Sequence, residues 1–306
     1  MKYKVYVDGQ EGTTGLEINA RLKDRSDLEI LRIDPAKRKC INERGRFLNA
    51  ADIVFLCLPD DAARESVSLL TNPNTRVIDA STAHRTADDW AYGLPELSRE
   101  HRDRIRAASR VSNPGCFATG FNLLVYPLVK EGILPADYPV TCHSVTGYSG
   151  GGNRLIEIYE DEEKSKNFSG PCFYALGLEH KHLPEMKKHS GLSAEPIFTP
   201  IIGKFYRGMT VAVPLFADKI GKTASDISAF YGEYFKGERF VRVSRLNMHE
   251  DLELGYLNPE GCNHTNDIEV SVFGNNERIL VTARLDNLGK GASGAAVQNM
   301  DIMLGI

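Results

Sequence analysis

No run of apolar residues in this 306-residue chain approaches the roughly 20 that a membrane-spanning helix requires, so a helical membrane protein is not expected. An excess of basic charge is missing too. Lysine and arginine number 37 against 41 aspartates and glutamates, a formal net charge of −4, which gives no electrostatic footprint for nucleic acid. An acidic substrate must then be held by particular arginines, not by the field of the whole molecule. Paired cysteines are absent. Cys40, Cys57, Cys116, Cys142, Cys172 and Cys262 are scattered without a CxxC spacing, so neither a structural zinc site nor a disulfide framework is suggested. Reduced thiols in a reducing compartment fit that pattern. The opening MKYKVYVDGQEG has no apolar signal-peptide core, and the expectation is a cytoplasmic protein. There is no internal repeat and no low-complexity segment.

What is present is the composition of a soluble globular protein, 42% hydrophobic and 25% charged, on a chain longer than one average domain needs. The first third alternates strands and helices. Tyr3 to Asp8 reads as a buried strand, Gly15 to Lys23 as a helix, and Leu28 to Ile33 as a second strand. Asp52 to Leu58 is a continuous apolar run of the kind buried on both faces of a parallel sheet, followed by a helix over Asp60 to Leu70 and a strand over Arg76 to Ala80. The alternation predicts right-handed βαβ units and an α/β, doubly wound parallel sheet. After Pro114 the pattern changes. A helix is expected over Cys116 to Lys130, then strands at Pro139 to Val145, Ile197 to Ile202, Thr210 to Leu215, Ile268 to Phe273 and Ile279 to Leu285. Their irregular spacing predicts a second α+β domain on a mixed or antiparallel sheet. Gly291 to Met303 is rich in small residues and reads as a closing helix.

Gly9, Gly12 and Gly15 form GxxGxxG directly after the first strand. A tight turn lets backbone approach a pyrophosphate, and a helix start presents N–H groups to the anion. The spacing is a variant of the dinucleotide fingerprint, and a plain glycine turn is the alternative. Asp34 stands where an acidic residue would bind a ribose hydroxyl and favour NAD. Arg32, Lys37, Arg38 and Lys39 surround it and would instead favour the phosphate of NADP, unless they are a solvated charge run.

Ser112-Asn113-Pro114-Gly115-Cys116 puts a cysteine into the first turn of a helix. The helix dipole and the N–H groups there favour a thiolate and could hold an oxyanion. A buried structural thiol is the competing interpretation. A nucleophilic cysteine wants an imidazole, and His180 and His182 lie in Glu179-His180-Lys181-His182-Leu183-Pro184-Glu185. If that segment is extended, both rings point to one face. A metal pair or a surface loop are the rivals, and no third ligand of suitable spacing accompanies them. Arg85 and Arg207 are candidates for bidentate capture of carboxylate or phosphate. The glycine-rich Gly147-Tyr148-Ser149-Gly150-Gly151-Gly152 offers backbone N–H groups to a substrate, or is a flexible connection.

Taken together, VDGQEGTTG, SNPGCFATG, GYSGGG, EHKHLPEM, RGM and DNLGKGASGAAVQN, which run from Val7 to Asn299, resemble the N-acetyl-γ-glutamyl-phosphate reductase family in its shorter form, with aspartate-semialdehyde dehydrogenases as wider relatives. The resemblance implies an NADP-dependent acyl-phosphate reductase of arginine biosynthesis with a Rossmann-type domain at 1–115 plus 288–306. The substrate-binding, catalytic and oligomerisation domain would then occupy 116–287. It implies Cys116 as nucleophile and His180 and His182 as the acid/base element, with their roles left undivided. NADP(H) would meet Gly9, Gly12, Thr13, Thr14, Gly15, Arg38, Lys39, Ser81 and Asn299. The small-molecule substrate would meet Asn113, Arg85, Ser149, Gly150 and Arg207, with no metal. A homo-oligomer, dimer or tetramer, is implied as well. The variant within this chemistry is a reductase of aspartyl or amino-adipyl phosphate.

Overall fold

The computed structural model describes residues 2–306. The chain divides into two compact units, Met1–Gly115 with Ala292–Ile306, and Cys116–Gly291. The boundary expected at 288 falls instead after Gly291, whose N–H donates to the Asp286 carbonyl at 2.9 Å and keeps that turn with the second unit.

The first unit runs β1 (Tyr3–Asp8), α1 (Thr13–Leu22), β2 (Leu28–Leu31), α2 (Ile41–Ala50), β3 (Ile53–Leu56), α3 (Asp60–Ser68), β4 (Arg76–Asp79), β5 (Ala91–Tyr92), α4 (Arg99–Ala107) and β6 (Arg110–Ser112). Its sheet has the order β2-β1-β3-β4-β6-β5, and every pairing is parallel. β3, Ile53–Leu56, is wholly apolar and buried because both of its faces are covered, and β1 is buried from Val5 to Asp8. Val5 and Val7 pack with Ile18, Leu22 and Phe55 on one side, while Tyr6 packs with Leu48, Val54 and Leu56 on the other. Burying each aliphatic side chain of this kind contributes about 1.5–3 kcal/mol. After a π-helical turn at Gly289–Ser293, the C-terminal helix, Gly294–Leu304, adds Ala296, Met300 and Met303 to the first of these clusters. It is tied down by Arg25 Nη1 to Asp301 Oδ1 at 2.9 Å and Gln298 Nε2 to Glu96 Oε1 at 2.7 Å. The strand order reverses between β1 and β3, so the loops leaving their carboxyl ends diverge and leave the crevice where doubly wound sheets take ligands.

The second unit runs α5 (Cys116–Lys130), β7 (Thr141–Gly147), α6 (Asn153–Glu160), α7 (Glu162–Ser165), β8 (Cys172–Phe173), α8 (Leu183–Ser190), β9 (Ile197–Gly203), β10 (Met209–Phe216), α9 (Ala217–Ile220), α10 (Ala224–Tyr234), β11 (Val241–Val243), β12 (Ile268–Gly274) and β13 (Arg278–Leu285). The sheet order is β11-β12-β13-β10-β7-β9-β8. It is mixed: β12, β13, β10 and β7 are antiparallel neighbours, while β7/β9 and β11/β12 are parallel. The helix α5 is buried nearly all round and presses onto this sheet at Gly120, where a Cβ would stand 2.7 Å from Val211 Cγ2. Only glycine permits that approach, and it fixes the height of Cys116 one turn earlier. Among the described residues no helix is long and apolar enough to cross a membrane.

Candidate active site

Cys116 is the first residue of α5, and the chain leading into it is pinned within the first unit. Asn113 N–H donates to the Asp79 carbonyl at 2.7 Å. The Arg85 guanidinium, buried, donates from Nε to the Asn113 carbonyl at 3.0 Å and from Nη2 to the Ala80 carbonyl at 3.1 Å. Arg85 was expected at the substrate, and here it clamps main chain. Asn113 Nδ2 donates to the Ala292 carbonyl at 2.9 Å, and its Oδ1 accepts from Asn299 Nδ2 at 3.2 Å. Asn299 Nδ2 also reaches the Gly93 carbonyl at 2.9 Å. The two asparagines, expected apart at substrate and nicotinamide, therefore hold each other.

Cys116 is partly exposed, whereas Cys142 and Cys262 are buried. Burial pushes the thiols of Cys57, Cys142 and Cys262 up, which makes them poor nucleophiles near neutral pH. Around the start of α5 lies a ring cluster. The Phe117 centroid is 5.6 Å from His180, 5.7 Å from His182 and 5.0 Å from Phe198, and the two imidazoles are 4.7 Å apart. The histidine segment is not extended. His182 has φ −89°, ψ −9° and caps α8, a helix announced by Pro184 in its first turn and closed by Gly191 at φ 81°. The turn brings His182 N–H to His180 Nδ1 at 3.1 Å. That nitrogen is an acceptor, so the proton of the neutral His180 ring sits on Nε2.

Sequence reasoning missed two residues close to Cys116. Tyr174 lies 5.8 Å from His180, centroid to centroid, and its phenol is pushed up first by burial and then by the nearby Cys116 side chain. Gly291 packs so closely that a Cβ there would stand 2.7 Å from the Cys116 Cβ. Neither position has a local sequence signal, because each depends on a contact far along the chain.

The Ser149, Gly150 and Arg207 positions do come together, through the segment after β13. Asn287 Oδ1 accepts from Gly208 N–H at 2.8 Å, and its Nδ2 donates to Ser149 Oγ at 3.0 Å. A Cβ on Gly150 would meet Asn287 Nδ2 at 3.4 Å. Arg207 Nη1 donates to Asp286 Oδ2 at 3.3 Å, with both side chains buried.

In the first unit the glycine turn is required by close approach. Gly9 has φ 90°, and a Cβ on it would be 2.2 Å from the Cys57 carbonyl oxygen; one on Gly15 would be 2.4 Å from the Gly9 carbonyl oxygen. Gly12 caps α1, which Thr13 and Thr14 open. This tight turn at a helix start, at the reversal point of the sheet, suits the pyrophosphate of a dinucleotide. Asp8, at the end of β1, is buried against Arg44 and accepts from Ser66 Oγ at 2.8 Å. Asp34 Oδ1 accepts from Ala36 N–H at 3.0 Å, a local turn cap, while Arg38 pairs with Glu11 and Lys39 is exposed. Ser81 Oγ donates to Asp79 Oδ2 at 2.8 Å. Beside it His84, which carried no distinguishing sequence context, meets Asp79 Oδ2 through Nδ1 at 2.6 Å and stacks on Trp90 at 4.1 Å. Among the described residues no group of three or more His, Cys, Asp or Glu is arranged to hold a metal ion.

A nucleotide-type parallel sheet in one unit and a cysteine-led helix on a mixed sheet in the other are the two parts of a semialdehyde dehydrogenase. The family models agree. Residues 4–105 match the semialdehyde dehydrogenase NAD binding domain, and residues 116–287 match the semialdehyde dehydrogenase dimerisation domain. Among solved structures, an aspartate semialdehyde dehydrogenase II of Vibrio cholerae complexed with ASA shares the fold at TM-score 0.71 and 13% identity, covering 100% of this chain and 99% of that one. An aspartate semialdehyde dehydrogenase with NADP from Candida albicans does so at TM-score 0.68 and 16% identity, covering 99% of each.

Sequence relatives are nearer. The chain is 48% identical to N-acetyl-gamma-glutamyl-phosphate reductase 2 of Pseudomonas putida, over 98% of this chain and 96% of the relative. It is 48% identical to N-acetyl-gamma-glutamyl-phosphate reductase of Mesorhizobium japonicum, over 100% of both, and 46% identical to the Nostoc reductase 2, over 100% and 98%. The chain belongs to the N-acetyl-gamma-glutamyl-phosphate reductase family.

Proposed function

We propose that the protein reduces N-acetyl-γ-glutamyl phosphate to N-acetyl-glutamate 5-semialdehyde and phosphate with NADPH, through a thioester on Cys116, in the cytoplasm and as a homodimer or homotetramer. The observation that carries this reading is a partly exposed cysteine at the first turn of α5, with two imidazoles around Phe117 at 5.6 and 5.7 Å.

The Cys116 thiolate attacks the γ-carbonyl carbon. A C–S bond forms, and the carbonyl electrons move to oxygen. N–H groups of the first turn of α5 take that oxyanion, an effect of roughly 3 kcal/mol per well-aimed donor. The carbonyl re-forms, the C–O bond to phosphorus-bound oxygen breaks, and phosphate leaves with the electron pair. When bound, NADPH supplies the hydride that takes the thioester carbon to the aldehyde level. The His180–His182 pair then donates and withdraws the proton on the thiohemiacetal oxygen as the C–S bond breaks and the thiol is released. Gly9, Gly12, Thr13, Thr14 and Gly15 would hold the dinucleotide phosphates, with Arg38 and Lys39 at the 2′-phosphate, Ser81 alongside and Asn299 toward the nicotinamide. Ser149, Gly150 and Arg207 would hold the acyl chain, while Arg85 and Asn113 fix the approach to Cys116. The reading is tested in the reverse direction. N-acetyl-glutamate semialdehyde, phosphate and NADP⁺ should yield NADPH, and no turnover with these reactants would refute it.

A further inference from the structure

We infer that His264 is a positioning residue for an oxyanion of the reactants: a neutral acceptor that aims the Arg207 guanidinium without cancelling its charge. This rests on the reading that Arg207 meets the acyl substrate or the phosphate it exchanges.

Arg207 Nη1 lies 3.2 Å from His264 Nδ1 and 3.3 Å from Asp286 Oδ2. Arginine has donors only, so at this contact the ring nitrogen accepts, and the imidazole is neutral with its proton on Nε2. His264 is brought there at some conformational expense. Its φ is 63°, a region non-glycine residues seldom adopt, and its own N–H is held by Asp286 Oδ2 at 2.8 Å. The loop that carries it closes over Gly208, φ 108°, where a Cβ would strike Asn263 Oδ1 and the Pro259 carbonyl, each at 2.7 Å. Asn263 Nδ2 donates back to the Arg207 carbonyl at 3.0 Å. Two hydrogen bonds thus join the loop to Arg207, and Asp286 Oδ2 bridges the two by accepting from both.

Charge decides why a histidine suits the place. Asp286, fully buried, already balances Arg207. A second carboxylate at 264 would leave the group net negative and repel an anion, whereas an imidazole supplies the same acceptor with no charge. The guanidinium plane is fixed, and its attraction for an incoming carboxylate or phosphate is kept.

Three substitutions separate these roles. His264→Gly is at ease at positive φ but has no acceptor. His264→Asn tolerates that φ and offers Oδ1 near the place of Nδ1, and His264→Asp offers the acceptor with a negative charge. In the reverse reaction His264→Gly should raise KM for the semialdehyde or for inorganic phosphate about tenfold, the loss of one charge-assisted hydrogen bond. His264→Asn should stay within about threefold of wild type, and His264→Asp should exceed the glycine variant. KM for NADP⁺ should not move, and melting temperatures check folding. The reactant whose KM moves identifies the oxyanion. An asparagine variant no better than glycine, an aspartate variant as good as asparagine, or a parallel rise for NADP⁺ would overturn the inference.

If the wild type does not turn over these reactants, the functional reading fails. The Kd of N-acetyl-L-glutamate and of inorganic phosphate, measured by calorimetry on the same four proteins, then decides the inference. The same order sustains it, and a flat series or no binding overturns it.

Discussion

Gly291 and Cys116 occupy each other's space: a single carbon added to Gly291 would come within 2.7 Å of the Cys116 Cβ and 3.2 Å of its Cα. Both neighbours are backbone-anchored, so neither yields without moving the start of α5. Gly291→Ala should therefore fold, yet lose about a hundredfold in kcat, since displacing a reacting atom by about 1 Å costs on that order. Steady-state kinetics with a melting curve check this, and an alanine variant of wild-type activity would show that the contact does not set the sulfur's position.

The imidazole pair makes a different prediction. Because His182 N–H donates to His180 Nδ1 at 3.1 Å, His180 has only Nε2–H to offer as a neutral acid. Replacing either histidine by alanine should lower kcat by about 10²–10⁴-fold, the range for a lost acid/base. Tyr174→Phe keeps the ring edge on His180 and should cost far less. Pre-steady-state hydride transfer distinguishes a chemical defect from slow product release.

For the cofactor, the basic residues after β2 should matter only for the phosphorylated dinucleotide. Arg38→Ala combined with Lys39→Ala should raise KM for NADPH about tenfold or more and leave KM for NADH nearly unchanged. Gly9→Ala should impair both coenzymes and stability together, because its Cβ would stand 2.2 Å from the Cys57 carbonyl oxygen at a φ of 90°.

Stability should fall on the alkaline side. Burial holds the Cys142 thiol and the Tyr231 phenol neutral and pushes both up, whereas in the unfolded chain they ionise near their ordinary values of about 8.5 and 10. A group raised by folding contributes stability that is complete below its unfolded value and is lost as pH climbs toward the folded one. Urea midpoints should therefore be insensitive to these groups between about pH 6 and 8 and decline above about 8.5. Cys142→Ala should make the first part of that decline shallower.

How far the sequence carried depended on whether the cause was local. β1 at Tyr3–Asp8 and α5 at about Cys116–Lys130 were readable: one is a buried run before glycines, and the other starts after Pro-Gly and is ended by Gly132 and Pro135. The helix α4 was not readable, since REHRDRIRA buries only Ile105 and shows no apolar face. The His180–His182 segment misled by alternation. Pro184 and Gly191 were the available marks of a helix, and a turn, not a strand, brings the rings together. Arg85 and Arg207 looked equivalent in sequence. One serves the main chain, and the other is paired with Asp286, 79 residues away, a partnership no local pattern announces.

The most direct measurement is intact-protein and peptide mass spectrometry after mixing the enzyme with N-acetyl-glutamate semialdehyde and NADP⁺ without phosphate. One acyl group should appear on the peptide containing Cys116 and disappear when phosphate is added, and Cys116→Ser should carry none and show no turnover. Turnover by that variant, or an acyl group on another residue, would contradict a thioester at Cys116.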